Sequence, residues 1–406
     1  MTRSPTILQI IPRLDTGGAE LSAVEINSAV VAAGGRSIVA TEGGRMAGRI
    51  TADGGELKLL RMGTKNPYRI LRNASNIRLA ALLESVDLIH ARSRAPAWSA
   101  LIAARQSQIP FVTTYHGAYA EKSRIKNLYN SVMARSDIVI ANSNYTSRLI
   151  QSRYGTPEAN IRVIHRGIDE AQFDPAGIST DRLDAMRTRF GIQPGQRLIL
   201  QAARLTSWKG QGVLIEAAAK LAKTGKLGDA VIILAGDAQG RDDYANQLQA
   251  QIARLGLQQQ VRLAGHIDDI PAAITLAWVA VIASTEPEAF GRSVTEAAAL
   301  GCLVIATDIG APPETVLARP RVSADETTGW LVPPGVPELL SQRLEEALAL
   351  PAVERAAMGA RAREHVLRNF SLTAMKHATL AVYDELLGSR MVDRFVANLS
   401  ARTPTP

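Results

Sequence analysis

The chain has 406 residues, which at about 100–200 residues per domain predicts two or three domains with ample core. Hydrophobic residues make up 46% and charged residues 21%, a globular composition that excludes a disordered chain. The single cysteine, Cys302, excludes an internal disulfide and favours a reducing, cytoplasmic setting. The apolar runs at residues 7–11 and 297–306 are too short for a membrane span, so we expect a soluble protein.

The net charge of +8 lies entirely in the first part of the chain. Residues 1–175 carry 22 Lys and Arg against 14 Asp and Glu, and the remainder carries 24 against 24. This basic excess predicts contact with an anionic partner such as a lipid surface or a phosphorylated acceptor, although a solvated basic face is an open alternative. Nucleic acid is disfavoured, because aromatic residues make up only 4% and none interleave with a basic motif.

Short apolar runs alternate with longer amphipathic segments along the chain, a pattern typical of repeated βα units around parallel sheets. Helices are predicted between the strands, for example at residues 19–33, 69–85, 181–190 and 212–223. The predicted strands are residues 6–11, 36–40, 57–60, 88–91, 111–115, 138–141 and 161–164, then 197–202, 230–235, 261–263, 279–282, 303–306 and 329–331.

The fold class is therefore predicted as α/β, with two doubly wound domains at residues 1–175 and 176–371. A last helix at residues 372–387 and a frayed polar tail to residue 406 follow them. Open α/β sheets bind ligands at the carboxyl ends of their strands, so we expect the site in a cleft where the two sheets face each other.

The most informative stretch is EPEAFGRSVTEA at residues 286–297, between the predicted strand 279–282 and a helix at 294–300. Backbone N–H groups at a helix start bind phosphate, and Gly291 lets that backbone approach closely. Glu288 and Glu296 flank the helix start, where a carboxylate can accept from adjacent sugar hydroxyls. The open alternative is a solvated loop acid for Glu288 and ordinary helix-start charge for Glu296.

Two cations, Arg204 and Lys209, follow the predicted strand 197–202. At a strand end they suit a diphosphate, both for binding and for stabilising a departing phosphate. They could equally be surface cations on a βα loop. The nearby Gly210-Gln211-Gly212 begins like a dinucleotide fingerprint, but Ile215 replaces the third glycine, so NAD is disfavoured.

Two further elements lie in the first half of the chain. Gly17 and Gly18 follow the first strand, where paired glycines form either a phosphate-approach loop or a tight turn. His116 directly follows the strand 111–115, where it could exchange a proton with a substrate hydroxyl or simply be a loop histidine. No spacing typical of a metal site or of a catalytic serine occurs, and Cys302 reads as core.

Taken together, the Gly-Gly start at Gly17, the strand-end His116, the Arg204-x4-Lys209 loop and the Glu288-x7-Glu296 element resemble the retaining family 4 glycosyltransferases of the GT-B fold. The resemblance covers nearly the whole chain. It implies two Rossmann-like domains facing across a cleft, with a C-terminal helix crossing back to the first. It also implies a nucleotide-sugar donor as substrate, no cofactor and no divalent metal.

The same resemblance implies the role of each catalytic candidate. Glu288 would face the donor sugar and the reacting centre, and His116 would touch the transferred sugar. Arg204 and Lys209 would clamp the diphosphate and stabilise it as it leaves.

The remaining donor-binding candidates follow by position. Glu296 would hold the ribose hydroxyls, and Gly17 and Gly18 would approach the phosphate from the other domain. The backbone from Phe290 to Val294 would complete the pocket, and Gly265 to Ile267 would lie beside the base. The other residues implied within these segments are Gly291 and Arg292.

The family more often has glycine or proline where Ala289 stands, and a shorter or apolar residue where Arg292 stands. The second departure puts the choice of sugar in doubt. The sequences WKGQ at residues 208–211 and RGID at residues 166–169 resemble those of bacterial enzymes of lipopolysaccharide-core or other surface-polysaccharide assembly.

The expected function is therefore transfer of a hexose, with retained configuration, from a UDP or GDP sugar to a glycan or lipid-linked acceptor. The basic first domain would face an anionic membrane surface, placing the protein in the cytoplasm or peripherally on the cytoplasmic membrane. The alternatives are an epimerase-like enzyme on the same fold and a non-catalytic subunit that binds nucleotide sugar. The basic candidates for the membrane surface are Arg61, Lys65, Arg69, Arg72, Lys122, Arg124 and Lys126.

Overall fold

The computed structural model describes residues 4–15, 17–119, 123–238, 240 and 242–402. The chain folds as two compact units, the first formed by the chain up to Gly167 together with the chain from Thr373 onward, and the second by Ile168–Leu372. The first unit thus ends before the boundary at residue 175 that the sequence suggests. The reason is that Ile168 and Phe173 pack in the core of the second unit, beside Phe190.

The first unit contains a seven-stranded parallel sheet with the strand order β3-β2-β1-β4-β5-β6-β7. Its strands are β1 (Thr6–Ile10), β2 (Arg36–Thr41), β3 (Glu56–Leu59), β4 (Leu88–Ala91), β5 (Phe111–Tyr115), β6 (Ile138–Ala141) and β7 (Ile161–Val163). Its central strands are buried along their whole length, as expected for a parallel sheet covered on both faces. The helices in this part of the chain are α1 (Gly18–Ala32), α2 (Ala47–Ala52), α3 (Pro67–Leu83), α4 (Arg94–Ser107), α5 (Arg124–Asn130) and α6 (Asn144–Tyr154).

The second unit contains a six-stranded parallel sheet. Its strands are β8 (Leu198–Ala202), β9 (Val231–Ala235), β10 (Val261–Gly265), β11 (Val279–Ile282), β12 (Leu303–Thr307) and β13 (Trp330–Val332). Its helices are α7 (Thr180–Phe190), α8 (Gln211–Lys223), α9 (Asp242–Arg254), α10 (Ile270–Leu276), α11 (Arg292–Ala299), α12 (Pro312–Thr315), α13 (Pro337–Ala349) and α14 (Ala352–Asn369). The strand order is β10-β9-β8-β11-β12-β13, and a hydrophobic cluster covers each face of the sheet.

The remaining elements complete the chain. Two helices end it, α15 (Leu372–Leu387) and α16 (Met391–Arg402). Short 3₁₀ segments occur at Ser131–Ala134, Glu158–Asn160, Pro175–Gly177 and Ser207–Lys209.

Both sheets have the order 3-2-1-4-5-6 that defines a doubly wound Rossmann sheet, extended by a seventh strand in the first unit. The α/β class and the two doubly wound sheets predicted from the sequence are therefore confirmed. Each predicted strand is present, and its ends either match the prediction or are shifted by one or two residues, as helix and strand boundaries generally are. The prediction succeeds because uninterrupted β-branched and aliphatic runs have few other stable arrangements.

The prediction of one helix and then a frayed tail is wrong, because the chain forms a further helix, α16. Met391 and Phe395 are spaced four residues apart on α16 and are buried. The amide of Asn398 donates to the carbonyl of Ala32 at the end of α1, at 2.9 Å. The end of the predicted tail, residues 403–406, lies outside the described residues.

The helices of the described ranges include none with both the length and the apolar character required to cross a bilayer.

A buried hydrogen-bond chain attaches α15 to the first sheet. His90 on β4 is fully buried, with Nδ1 2.7 Å from the Tyr383 hydroxyl and Nε2 2.7 Å from the Thr114 hydroxyl. Burial, and then the positive charge of Arg92, holds the pKa of His90 well below its usual range. The ring is therefore neutral, with one donor and one acceptor nitrogen, and the two hydroxyls satisfy both.

We expect Tyr383→Phe to destabilise the first unit by about 1–3 kcal/mol, because it leaves a buried nitrogen of His90 without a partner. Urea unfolding followed by circular dichroism measures the change. Tyr68→Phe is the control, since Tyr68 is 74% exposed. Equal unfolding midpoints for the two variants would contradict the assignment.

Candidate functional site

In the second sheet, the strand order reverses between β8 and β11. Strand β8 pairs with β9 on one side and with β11 on the other, so the loops after β8 and β11 leave the sheet side by side at its carboxyl edge. The first loop carries Arg204 and Lys209, and the second carries Glu288. A topological switch point is where open α/β sheets bind ligands, and the three chemically distinctive side chains lie there.

Lys209 and Glu288 form a close ion pair at this switch point. Lys209 Nζ lies 2.5 Å from Glu288 Oε1, and the two side chains are only 16% and 10% exposed. The Ser284 hydroxyl, at the end of β11, donates to the same carboxylate oxygen at 2.6 Å. Lys209 Nζ also lies 4.4 Å from the centroid of the Trp208 ring. The cation and the carboxylate are therefore held in one geometry by groups on both loops.

The two loops approach each other so closely that one position between them accepts only glycine. Gly210 has a φ of +71°, and a Cβ atom there would lie 1.8 Å from the carbonyl oxygen of Ala283. Next to it, the amide of Thr285 donates to the carbonyl of Trp208 at 2.7 Å. The Gln201 amide donates to the carbonyl of Lys209 at 2.6 Å. These backbone contacts fix where the Lys209 side chain begins.

The backbone of Glu288 is fixed from a third strand loop. Ala311, which follows β12, donates its N–H to the carbonyl of Glu288 at 2.9 Å, and Gly310 forms a parallel bridge with Glu288. A Cβ atom on Gly310 would lie 2.3 Å from the Glu288 carbonyl oxygen. The carboxylate therefore stands on a segment that three neighbouring strand ends hold in place.

Helix α11 begins immediately after Gly291 and presents its first backbone N–H groups at the same edge. On its first turn, Arg292 Nε lies 3.5 Å from Glu296 Oε1. Phe290 is buried in an edge-to-face pair with Phe370, 5.8 Å between centroids, and Val294 is fully buried. The side chains of Phe290 and Val294 therefore pack in the core beneath the helix start. Only the backbone groups of these two residues are available to a ligand.

The remaining candidates of this unit are more scattered. Arg204 is exposed, its carbonyl accepts from Gln211 at 2.9 Å, and its guanidinium has no ion-pair partner in the described part of the chain. Gly265 and Ile267 lie at the end of β10, the outermost strand of the sheet, two strands from β8. Ile267 is buried in the core, so its side chain is committed to packing.

The first unit has its own switch point, because β1 pairs with both β2 and β4. Gly17 and Gly18 lie at the start of α1, just after β1, and His116 directly follows β5. Thr16, between the first strand and these glycines, lies outside the described residues. Arg166 joins the two elements: its guanidinium donates to the carbonyl of Gly18 and contacts His116 Nδ1 at 2.6 Å.

His116 lies in a buried, electropositive environment. Burial lowers its pKa well below the usual range, and the charges of Arg166 and Arg92 lower it further. His90 contributes in the same direction. The imidazole is therefore neutral at physiological pH, which bears on the chemistry that it can perform.

Sequence reasoning missed Ser284 and Gly310 and gave Arg166 no role. Ser284 could have been found from the sequence, because it is the second residue after β11, the strand at the switch point. Gly310 follows β12 in the same way, two residues before Pro312. Arg166 is nearly fully buried, and a buried arginine always has partners, but the sequence does not reveal which ones.

Metal independence stays a prediction. Within the described ranges no three His, Cys, Asp or Glu side chains come together in a group that could hold a metal ion.

Family models match both halves of the chain. Residues 16–172 match the model described as Glycosyltransferase Family 4, and residues 184–365 match the model described as Glycosyl transferases group 1. A solved glycosyltransferase from Rickettsia africae is 33% identical, with a TM-score of 0.85 over 95% of this chain and 100% of that chain. Anabaena HepE, solved with UDP and glucose, is 23% identical, with a TM-score of 0.82 over 94% of this chain and 100% of its own.

Other relatives in bacteria that are named as glycosyltransferases are 26–28% identical to this chain. A D-inositol 3-phosphate glycosyltransferase of Jonesia denitrificans is 26% identical over 73% of this chain and 71% of its own length. The chain matches five further relatives of that name over 52–66% of their length. The lipopolysaccharide core biosynthesis mannosyltransferase LpcC of Rhizobium leguminosarum is 28% identical over 63% of this chain and 67% of its own length.

We expect Gly210→Ala to lower the midpoint of thermal unfolding much more than Gly335→Ala. Both glycines have nearly the same positive φ, +71° and +72°, so each variant bears a similar backbone strain of about 1–2 kcal/mol. Only Gly210 has a backbone atom in the way, since a Cβ atom on Gly335 meets nothing within 4 Å. Differential scanning calorimetry measures both midpoints, and equal shifts would contradict the close approach.

Proposed function

This chain belongs to the family 4, group 1 glycosyltransferases of the GT-B fold, and on that premise we propose that it moves a hexosyl group from a nucleoside diphosphate sugar to a hydroxyl group of a glycan or glycolipid. We further propose that the anomeric configuration is retained. The observation that carries the proposal is the Lys209–Glu288 pair at the switch point of the second sheet, beside the start of α11.

The donor would bind through its diphosphate at this edge. Lys209 Nζ has three N–H donors and gives one to Glu288, so others stay available for phosphate oxygens. Arg204 is exposed and can offer a bidentate fork, and the first N–H groups of α11 add partial positive charge. Glu296, which is 18% exposed, would accept from the ribose hydroxyls, with Arg292 limiting its orientation.

The chemical step breaks the bond between the anomeric carbon and the leaving phosphate oxygen. The acceptor oxygen then bonds to that carbon on the same face, and its proton passes to the leaving phosphate. Positive charge grows on the sugar ring while negative charge grows on the diphosphate. Glu288 suits the first charge, and Lys209 and Arg204 suit the second, without reorganisation at the moment of reaction.

We propose that these cations and the α11 start make a divalent metal unnecessary. The donor is proposed to carry UDP or GDP. HepE was solved with UDP and glucose, which favours a UDP donor. LpcC is named a mannosyltransferase, so a mannose donor is the alternative to test.

We expect Lys209→Ala to lower the turnover number by about 100- to 1,000-fold, because the leaving diphosphate loses a positive charge at the point where its own charge develops. The assay measures nucleotide release with a chelator present, across UDP-glucose, UDP-galactose, UDP-N-acetylglucosamine, GDP-mannose and ADP-glucose. Arg204→Ala should also lower the turnover number, since the exposed Arg204 guanidinium is proposed to bind the same diphosphate. Lys220→Ala is the matched control, since it removes a lysine–glutamate pair with Glu338 on α8 and α13.

The outcomes separate the alternatives. Wild-type protein that binds a donor but never releases nucleotide, even with candidate acceptors, would support the non-catalytic subunit. Conversion of the donor sugar to its epimer would support the epimerase-like enzyme. Inverted configuration at the anomeric carbon, seen by NMR of the product, would overturn retention. Activity that a chelator abolishes would overturn metal independence.

The acceptor is proposed to be lipid-linked, as in lipopolysaccharide or another surface polysaccharide, and bound by the first unit. LpcC, a lipopolysaccharide-core enzyme by name, supports this choice, and so does a basic and apolar face on the first unit. On α3, Tyr68, Leu71 and Leu83 are 74%, 58% and 74% exposed, and on α5 Ile125 is 83% exposed. The cations on or beside these helices are Arg61, Lys65, Arg69, Arg72, Arg124 and Lys126, while Lys122 lies outside the described residues.

Lys65 connects the two helices of this face, since its Nζ lies 5.9 Å from the centroid of the Tyr129 ring on α5. Exposed leucine, isoleucine and tyrosine among arginines are typical of a surface that enters the headgroup region of an anionic bilayer. We therefore propose a peripheral, reversible contact with the inner face of the cytoplasmic membrane.

We expect Ile125→Ser to weaken binding to vesicles that contain anionic phospholipid by about 10- to 100-fold, because burying one isoleucine side chain contributes about 1.5–3 kcal/mol. Sedimentation with vesicles of mixed phosphatidylglycerol and phosphatidylcholine measures this. Val353→Ser is the matched control, since Val353 is 81% exposed on the second unit. Equal binding to pure phosphatidylcholine vesicles would contradict an electrostatic contribution.

A further inference from the structure

The buried contact between Arg166 and His116 determines which nitrogen of the histidine carries the proton. Arg166 is 5% exposed, and its Nη2 lies 2.6 Å from Nδ1 of His116. A guanidinium has five N–H donors, no acceptor, and a pKa too high for it to lose a proton in a protein. At this distance His116 Nδ1 must therefore be the acceptor. The proton of the neutral ring then sits on Nε2.

The surroundings of His116 keep this arrangement from being reversed by protonation. A proton on Nδ1 would point an N–H group at another N–H group, next to a full positive charge. The charged and titratable groups that face the ring are Arg166, Arg92 and His90. The other side chains that line the narrow cavity at this point are uncharged: Ser22, Thr114, Asn142, Met375 and Thr379. Burial, and then the charges of Arg166 and Arg92 and the neighbouring His90, lower the pKa of His116 well below its usual range.

The Nε2–H group that results is buried and has no hydrogen-bond partner among the described residues. A buried donor without a partner costs about 1–3 kcal/mol, so such a group in a functional region indicates a missing acceptor. Its sequence position, directly after β5 at the carboxyl edge of the sheet, is where ligands of open α/β sheets bind.

The same guanidinium also fixes the start of α1, because Arg166 donates to the carbonyl of Gly18. One side chain thus connects the glycine start of α1 with the ring of His116. A lysine could keep the donor to Nδ1, since it too lacks an acceptor, but its single nitrogen does not reproduce the planar fork that reaches both partners.

We propose that Arg166 is a positioning residue that fixes His116 in the neutral Nε2–H tautomer, so that His116 serves the reaction as a hydrogen-bond donor to a substrate oxygen and does not act as a general base. The tautomer follows from the contact itself. The role toward substrate rests on the proposed glycosyl transfer.

The tautomer is tested without any substrate by ¹⁵N NMR of protein labelled at histidine. The signals of His116 are identified by their loss in the His116→Gln variant. We expect the Nε2 nitrogen to be protonated and Nδ1 to be bare, with no change between about pH 8 and about pH 6, across the range in which an ordinary histidine titrates. A protonated Nδ1, or titration within this range, would overturn the proposal.

Variants at Arg166 test the cause. In Arg166→Met the two tautomers should mix and the pKa of His116 should rise, because the donor and one of the two nearby guanidinium charges are gone, while burial and Arg92 still hold the pKa below its usual value. Arg166→Lys should keep the Nε2–H tautomer. Arg49→Met is the control, since Arg49 is exposed on α2, and it should leave the His116 signals unchanged. If Arg166→Met does not fold, the spectra of the wild type and of Arg166→Lys still decide the assignment.

Kinetics with the donor found in the release assay test the role toward substrate. His116→Gln places an amide N–H near the position of Nε2 but cannot accept a proton, so it should retain about tenfold more turnover than His116→Ala. Equal inactivity of the two would overturn the donor role. Arg166→Met should lower the turnover number more than it raises KM, and Arg166→Lys should recover most of the loss. If no donor is turned over, glycosyl transfer fails while the NMR result stands by itself.

Discussion

The structure depends on one constraint of parallel sheets, which is that strand order must reverse somewhere when both faces are to be covered by helices. The reversal falls at β1 and β4 in the first unit and at β8 and β11 in the second. In the second unit the two adjacent strands lead to helices on opposite faces of the sheet, α8 and α11, and the loops between each strand and its helix lie side by side at the carboxyl edge. Lys209 and Glu288 are neighbours because their loops leave β8 and β11, although 79 positions separate them.

Placing a lysine and a glutamate together with little exposure has an energetic consequence. Each charge loses solvent, and removing either partner of such a pair leaves the other uncompensated, at a cost of about 3–5 kcal/mol. The pair therefore requires the close backbone packing at Gly210 and Gly310 that keeps both side chains at hydrogen-bond distance. Under the proposed function, an incoming diphosphate would bind beside charges that folding has already removed from water and fixed in position. This preorganisation is the condition for effective electrostatic stabilisation.

The sequence predicts what depends on short-range patterns. Apolar runs identify the strands, and the residues that follow each strand identify Arg204, Lys209, Glu288 and His116 as lying at the carboxyl edge. It does not predict what depends on packing between distant segments. The sequence predicts a tail where α16 lies, because only Met391 and Phe395 mark the buried face of this helix, and their packing partners are far away in the sequence. The partners of Arg166 depend on distant packing in the same way, whereas Ser284 and Gly310 each follow a strand of the second sheet and could have been found from the sequence.

In each unit, neighbouring polar groups hold one of the candidate side chains in place. In the second unit a cation and a hydroxyl hold the carboxylate of Glu288, and in the first a guanidinium holds one nitrogen of His116. In both cases the partner occupies one side of the side chain and leaves the other side for a ligand; on His116 that other side carries the proposed Nε2–H donor. The chemistry open to each side chain is thus set by its neighbour, and a search for catalytic groups by residue type alone would assign His116 as a base.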